Sequence, residues 1–170
     1  MKAGAAEIVI RRMHLEDVRA VITLDRASFP LPWSERAYRL ELTENTAAHL
    51  FVAETAGERP RVIGYGGFWF LVEEAHISTL AVDPCYRRKG IGGRLLRHLL
   101  REARKLGAET VTLEVRASNR EAQALYRKHG FEVRAIKPRY YRDNDEDALL
   151  MELNLAAWGG AAQEDGNGRC

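Results

Sequence analysis

An α/β (α+β) architecture, with a central mixed and mostly antiparallel sheet of six or seven strands flanked by about four helices, is expected from three features of this 170-residue chain. Its first half carries short alternating strands joined by tight turns, which reads as an antiparallel meander. Its second half changes to strand, helix, strand, helix, and two further strands follow. No shift of composition marks a second domain, so residues 1–156 read as one domain.

EIVIRR (7–12) alternates weakly and is the first expected strand. In HLEDVRAVITLDRASF the spacing of Leu15, Val18, Val21, Ile22 and Leu24 is helical. FPLPW (29–33) interrupts with two prolines, and Ser34 is placed to cap a second helix from Glu35 to about Thr43. LFVAE (50–54), VIGYGGFWFL (62–71) and HISTLAVD (76–83) are strands, the last two joined by a Glu-Glu turn. After LAVDP comes YRRKGIGGRLL (86–96), leading into a helix with Ile91, Leu95, Leu96, Leu99, Leu100 and Ala103 on its apolar stripe. Arg94, Arg97, Arg101 and Arg104 line the opposite face, and Gly107 ends it. TVTLEVR (110–116) alternates cleanly. Ser118 and Glu121 then spell a capping box for a helix that runs through His129 to Gly130. FEVRAI and ALLMELNL (148–155) are the last strands, around a tyrosine-containing turn. The tail lacks periodicity, and residues 157–170 are expected to be disordered.

Apolar content of 46%, charged content of 29% and a mean hydropathy of −0.35 suit a soluble globular chain. The start, MKAGAAEIVIRR, lacks the apolar core of a signal peptide, and no apolar run nears the ~18 residues of a membrane span. A cytoplasmic location without a membrane partner is therefore expected. Cys85 and Cys170 are far apart, which leaves neither a disulfide framework nor a metal cluster to build. The net charge of +2 gives no general field for nucleic acid, and no specific nucleic-acid partner is expected. Charge is uneven, however. Residues 86–105 hold eight Lys or Arg and one acid, Glu102, so nucleic-acid binding through the basic helix stands as the non-enzyme alternative.

Glycines and cations directly before a helix point to an anion, because the unpaired NH groups of a first helical turn favour a phosphate. A P-loop is excluded, since no Gly-Lys-[Ser/Thr] follows the glycines. A dinucleotide fingerprint is disfavoured, since its third glycine position is Leu95. What remains is R-x-x-G-x-G at Arg87, Gly90 and Gly92, after a strand ending LAV and before an amphipathic helix.

In that context the chain resembles the GNAT acetyltransferases, whose loop of this kind wraps the pyrophosphate of acetyl-CoA with backbone NH groups. TLAVDP, RRKGIGGRLL, LEVRASNREAQALYRKHGF and YYRDNDEDALLMEL together resemble the RimI-like protein alanine N-acetyltransferases and their archaeal and eukaryotic N-terminal relatives, over about residues 7–155. Arg87 stands where the bacterial pattern more often has Gln, and HISTLAV is closer to the archaeal and eukaryotic strand. The resemblance implies the GNAT fold, acetyl-CoA as co-substrate with no metal, direct transfer in a ternary complex, and a protein N-terminus as acceptor, ribosomal or nascent. A small-molecule amine or an internal lysine is the alternative acceptor, and the presence of both Glu114 and Tyr126 speaks against a catalytically silent acyl-CoA-binding module. The oligomeric state is left open.

Residue roles follow from the same resemblance. Glu114 shares a strand face with Thr112 and Arg116; by spacing alone it reads as a solvated or paired carboxylate, while the match to LEVR implies a general base acting through water. Tyr126 reads as a core aromatic, and its place in ALY implies the donor of a proton to the CoA thiolate. Leu80, Ala81 and Val82 are implied to pair with the pantetheine arm, and the NH groups at Arg88, Lys89, Gly90, Ile91, Gly92 and Gly93, behind Arg87, to hold the phosphates. Asn119 is either a helix-start residue or a cofactor contact. Phe29, Pro30, Leu31, Pro32 and Trp33 on one side, and Tyr140 and Tyr141 on the other, are implied to flank the acceptor's first residues, with lid packing as their other reading. Cys85 lacks a partner base for a covalent route, and His76 and His129 read as structural, with a site role as the lesser reading for His76 because it opens the strand that ends at the proposed site.

Overall fold

A computed structural model describes residues 7–160. Seven strands form one sheet in the order β1-β2-β3-β4-β5-β7-β6. They are β1 (Ile8–Arg12), β2 (Ala48–Thr55), β3 (Val62–Leu71), β4 (Glu74–Val82), β5 (Thr110–Arg116), β6 (Glu132–Tyr141) and β7 (Glu146–Asn154). Only β4 and β5 run parallel; every other pair is antiparallel. The helices are α1 (Val18–Ser28), α2 (Glu35–Thr43), α3 (Ile91–Leu106) and α4 (Arg120–Lys128).

Strand alternation decides which helix meets which face. Leu50 and Val52 of β2 pack with Val18, Val21, Ile22 and Tyr38 of α1 and α2. Phe51 and Ala53 point the other way, into the clusters built on α3. The apolar stripe of α3 is buried as its spacing requires, from Ile91 to Ala103. Its arginines are committed to the fold: Arg94 donates to the carbonyl of Ile8 at 3.0 Å and Arg104 to that of Leu155 at 2.6 Å. Arg104 also lies 5.0 Å from the Trp158 ring centroid. Residues 157–160, where the disordered tail was expected to begin, are thus laid against α3; residues 161–170 lie outside the described residues.

Two local expectations are corrected. The cap of α4 is Asn119, whose side chain accepts from the Ala122 NH at 3.1 Å, and not Ser118. The Ser118 NH, which a capping box would direct to Glu121, instead donates to Glu146 of β7 at 2.8 Å. Tyr140 and Tyr141 sit on the end of β6 and not in a turn: β6 resumes pairing at Tyr141 opposite Glu146 after an irregularity that begins at Lys137. The Ser34 cap stands as expected, accepting from the Ala37 NH at 3.1 Å.

Two irregularities open the sheet. Thr79 pairs with Gly67 and Ile77 with Phe68, so Ser78 is a bulged residue with no opposite number. Beyond it the facing is exchanged: Ala75 and Ile77 pack towards α3, whereas Ala81 packs with the cluster of α1. Furthermore, β4 and β5 pair only as far as His76 and Thr112, then part. From there to Val82, one backbone edge of β4 has no strand beside it.

Candidate active site

The parting of β4 and β5 leads to two cavities that meet at Tyr126. One, of about 350 Å³, is lined by Leu80, Ala81, Val82, Arg87, Arg88, Gly90, Ile91, Gly92, Gly93 and Asn119. Gly90 takes a left-handed conformation (φ 79°) as the N-cap of α3, with open space where a side chain would stand. The free NH groups of the first turn and the positive end of the helix dipole therefore face a wall lined with cations. These residues fit a diphosphate followed by an extended arm along the free edge of β4. Lys89 is placed differently, its Nζ 5.1 Å from the Tyr86 ring centroid. Arg87, although exposed, is tied to the end of β4, donating to the Val82 carbonyl at 3.1 Å.

The second cavity, of about 380 Å³, is lined by Phe29, Pro30, Leu31, Trp33, Ser78, Glu114, Arg116 and Tyr141 among others. Pro32 and Tyr140 are not among its lining residues. Tyr140 is 46% exposed and stands edge-on to Tyr141 with centroids 5.1 Å apart. Tyr126 lines both cavities, packed edge-on against Phe131. Burial pushes its phenol well above the ordinary tyrosine range, which keeps the proton on the oxygen.

Glu114 is held from two sides. His76 Nε2 is 2.8 Å from its Oε2, and Lys137 Nζ is 2.6 Å from Oε1. The hydrogen bond from His76, and secondarily that from Lys137, outweigh burial and hold the carboxyl down at about 2. Such a carboxylate is ionised and well oriented, but a weak base while both partners remain. On its far side, His76 Nδ1 is 2.8 Å from Thr112 Oγ1, which donates to Glu74 at 2.6 Å. Of the two readings of His76, structural and, less favoured, at the site, the fold supports the second, making it a direct partner of Glu114.

Two further groups were not visible in the sequence. Buried Asp25 accepts from the Trp33 NH at 2.7 Å and from the hydroxyls of Tyr38, at 2.9 Å, and Tyr65. Its carboxylate thereby closes segment 29–33 against the sheet, with Trp33 stacked on Trp69 and Trp69 on His76. Arg116 stacks over Tyr141, 3.9 Å from the ring centroid, and pairs with Asp143 at 2.9 Å and Glu146 at 3.4 Å. Among the described residues no group of acidic, His or Cys side chains is arranged to hold a metal.

The model of the acetyltransferase (GNAT) family matches residues 18–131, more than half of the chain. A candidate ribosomal protein bS18-alanine N-acetyltransferase of Bacillus subtilis is 39% identical over 155 residues, covering 91% of this chain and 99% of the relative. An N-alpha-acetyltransferase of Sulfurisphaera tokodaii is 38% identical over 162 residues, covering 88% and 94%. The crystal structure of the ribosomal-protein-S18-alanine N-acetyltransferase from Escherichia coli superposes with a TM-score of 0.79 at 32% identity, covering 88% of this chain and 94% of that one.

Proposed function

This chain belongs to the GNAT acetyltransferase family, and from that premise we propose that it transfers acetyl from acetyl-CoA to the α-amine of a protein N-terminus, a ribosomal protein being the favoured acceptor. The observation that carries the reading is the meeting of the two cavities at Tyr126, one edged by the amino end of α3 and the other by Glu114.

Acetyl-CoA, when bound, supplies an acyl group activated as a thioester. The NH groups of Gly90–Gly93 would hold its diphosphate, and the free edge of β4 at Leu80–Val82 its arm. Glu114 would accept the proton of the attacking amine, directly or through a water, and Tyr126 would hold the proton destined for the leaving sulfur. An α-amine near pKa ~8 costs about 1 kcal/mol to deprotonate at pH 7, against about 4 to 5 for a lysine near ~10.4. A base as weak as paired Glu114 favours the former. Phe29, Leu31, Trp33 and Tyr141 would enclose the first acceptor residues.

A panel of short peptides differing only in residue one, assayed for CoA release, tests this. Turnover that depends on residue one and vanishes when the α-amine is blocked supports the reading. Equal turnover of simple amines, or of an internal lysine in a blocked peptide, overturns it. Salt-sensitive nucleic-acid binding that acetyl-CoA leaves untouched would support the basic-helix alternative instead.

A further inference from the structure

We propose that Thr112 and Glu74 act as positioning residues that keep His76 protonated on both ring nitrogens, and that loss of the outer proton of this imidazolium releases Glu114 to act as a base.

The argument is a count of donors. Thr112 Oγ1 lies 2.6 Å from Glu74 Oε1 and 2.8 Å from His76 Nδ1. A hydroxyl has one proton, and a carboxylate only accepts, so the threonine proton points to Glu74 and its lone pair faces the imidazole. Nδ1 must then be a donor. At the other nitrogen, Nε2 is 2.8 Å from Glu114 Oε2, again an acceptor, so Nε2 must donate as well. Neutral imidazole has one N–H, and this array uses two.

An extra proton elsewhere would satisfy the same count at greater cost. On Glu114 it would leave the Lys137 ammonium 2.6 Å from an uncharged carboxyl. On Glu74 it would neutralise a carboxylate that is exposed to water. The neighbours of the ring agree. Glu74 faces it from β4 through Thr112 of β5, and Glu114 faces it directly from β5. Trp69 of β3 stacks on it, with centroids 6.0 Å apart, and carries no charge. Lys137 of β6 is on the opposite side of Glu114.

Two cations therefore bear on Glu114, and only one can be discharged by the chain of hydrogen bonds. As pH rises, the Nδ1 proton moves to Thr112 Oγ1 while the threonine proton moves to Glu74 and on to water. His76 is left neutral, still donating from Nε2. Glu114 then faces one cation instead of two, and its oxygen can take the proton of the acceptor ammonium.

The kinetic arm of the test rests on Glu114 being the base of the proposed reaction; the spectroscopic arm does not. Ring ¹⁵N shifts of His76 are read in the full chain at pH 7, together with the pH profile of kcat/KM for a peptide acceptor. Wild type should show two N–H nitrogens. Thr112→Val removes the acceptor of Nδ1 and should expose a neutral ring fraction, moving the rising limb of kcat/KM to lower pH by about one unit. Thr112→Ser should restore both signals. Glu74→Gln, at an exposed position, should act in the direction of Thr112→Val without endangering the fold. An unprotonated ring nitrogen in wild type at pH 7 overturns the proposal. So does a folded Thr112→Val or Glu74→Gln whose ring signals and rate profile both match wild type, and so do ring signals that move while the rate profile stays. A chain that turns over no peptide still reports the ring, which separates this inference from the choice of acceptor.

Discussion

The Trp33 NH donates to the carboxylate of Asp25 at 2.7 Å, which closes the two-proline segment over a buried charge that also accepts from Tyr38. Asp25 is 2% exposed, so removing its carboxylate leaves two hydroxyls and an NH without their acceptor. Asp25→Ala should cost about 3 kcal/mol in chemical denaturation. Because Trp33 borders the acceptor cavity, the KM for peptide should rise more than the KM for acetyl-CoA. Equal stability and an unchanged peptide KM would remove Asp25 from the acceptor site.

Glu114→Gln and Tyr126→Phe should each slow turnover by about 10²- to 10⁴-fold, the usual contribution of a positioned acid or base. Calorimetry should find acetyl-CoA affinity nearly intact, since Glu114 lines only the acceptor cavity and Phe keeps the packing of Tyr126 on Phe131. Full rates for both variants across the pH range would show that neither group moves a proton.

Lys137 carries a pH prediction with a definite sign. Its partner Glu114 is lowered from 4.5 to about 2, so that side of the pair contributes stability above pH 4.5 and loses it as pH falls towards 2. The hydrogen bond to Glu114 raises Lys137 from 10.5, so the lysine side contributes below 10.5 and fades as pH climbs past it. Lys137→Met should therefore destabilise the protein between those limits and leave it close to wild type at pH 2. Relieved of one cation, Glu114 should also titrate higher and become the stronger base. Denaturation midpoints and kcat/KM at several pH values check both.

Much of this was legible locally, and the exceptions share a cause. The run from Arg87 to Gly93 announces an anion site because backbone conformation, helix start and charge coincide within a few residues. The strands and the stripe of α3 follow from periodicity in the same way. His76 and Lys137 were opaque as partners of Glu114 because they approach from β4 and β6, contacts 38 and 23 residues distant along the chain. Asp25 sits in a helical stretch where an acid ordinarily faces water, and nothing local says that Tyr65 will arrive from β3 to bury it. The capping box expected at Ser118 and Glu121 failed for a similar reason, since Glu146 of β7 takes the Ser118 NH that Glu121 would have accepted, and Asn119 caps α4 instead.

Gly90 separates backbone strain from steric exclusion. Its φ of 79° disfavours any L side chain, yet nothing stands within 4 Å of a Cβ placed there. Gly90→Ala should thus cost about 1 kcal/mol in stability. Any larger loss must appear in acetyl-CoA binding, as the turn at the start of α3 shifts its NH groups from the ligand. Calorimetry with acetyl-CoA and with free CoA, beside denaturation of the same variant, distinguishes the two. Unchanged affinity for both ligands would move the diphosphate away from this turn.

Arg116 offers a test of how the β6–β7 hairpin is held. Its guanidinium stacks on Tyr141 while its nitrogens reach Asp143 and Glu146, a combination that needs a planar fork. Lysine preserves the charge and forfeits the stacking and the divided hydrogen bonds. Tyr141 lines the cavity proposed for the acceptor, and burial pushes its hydroxyl up to about 12, so it presents a neutral phenol there. Arg116→Lys should therefore loosen Tyr141 and raise the peptide KM several-fold, with the KM for acetyl-CoA unaffected because Arg116 does not line the donor cavity. A rise in both KM values would mean that the substitution has disturbed β5 itself, and an unchanged peptide KM would mean that Tyr141 does not grip the acceptor.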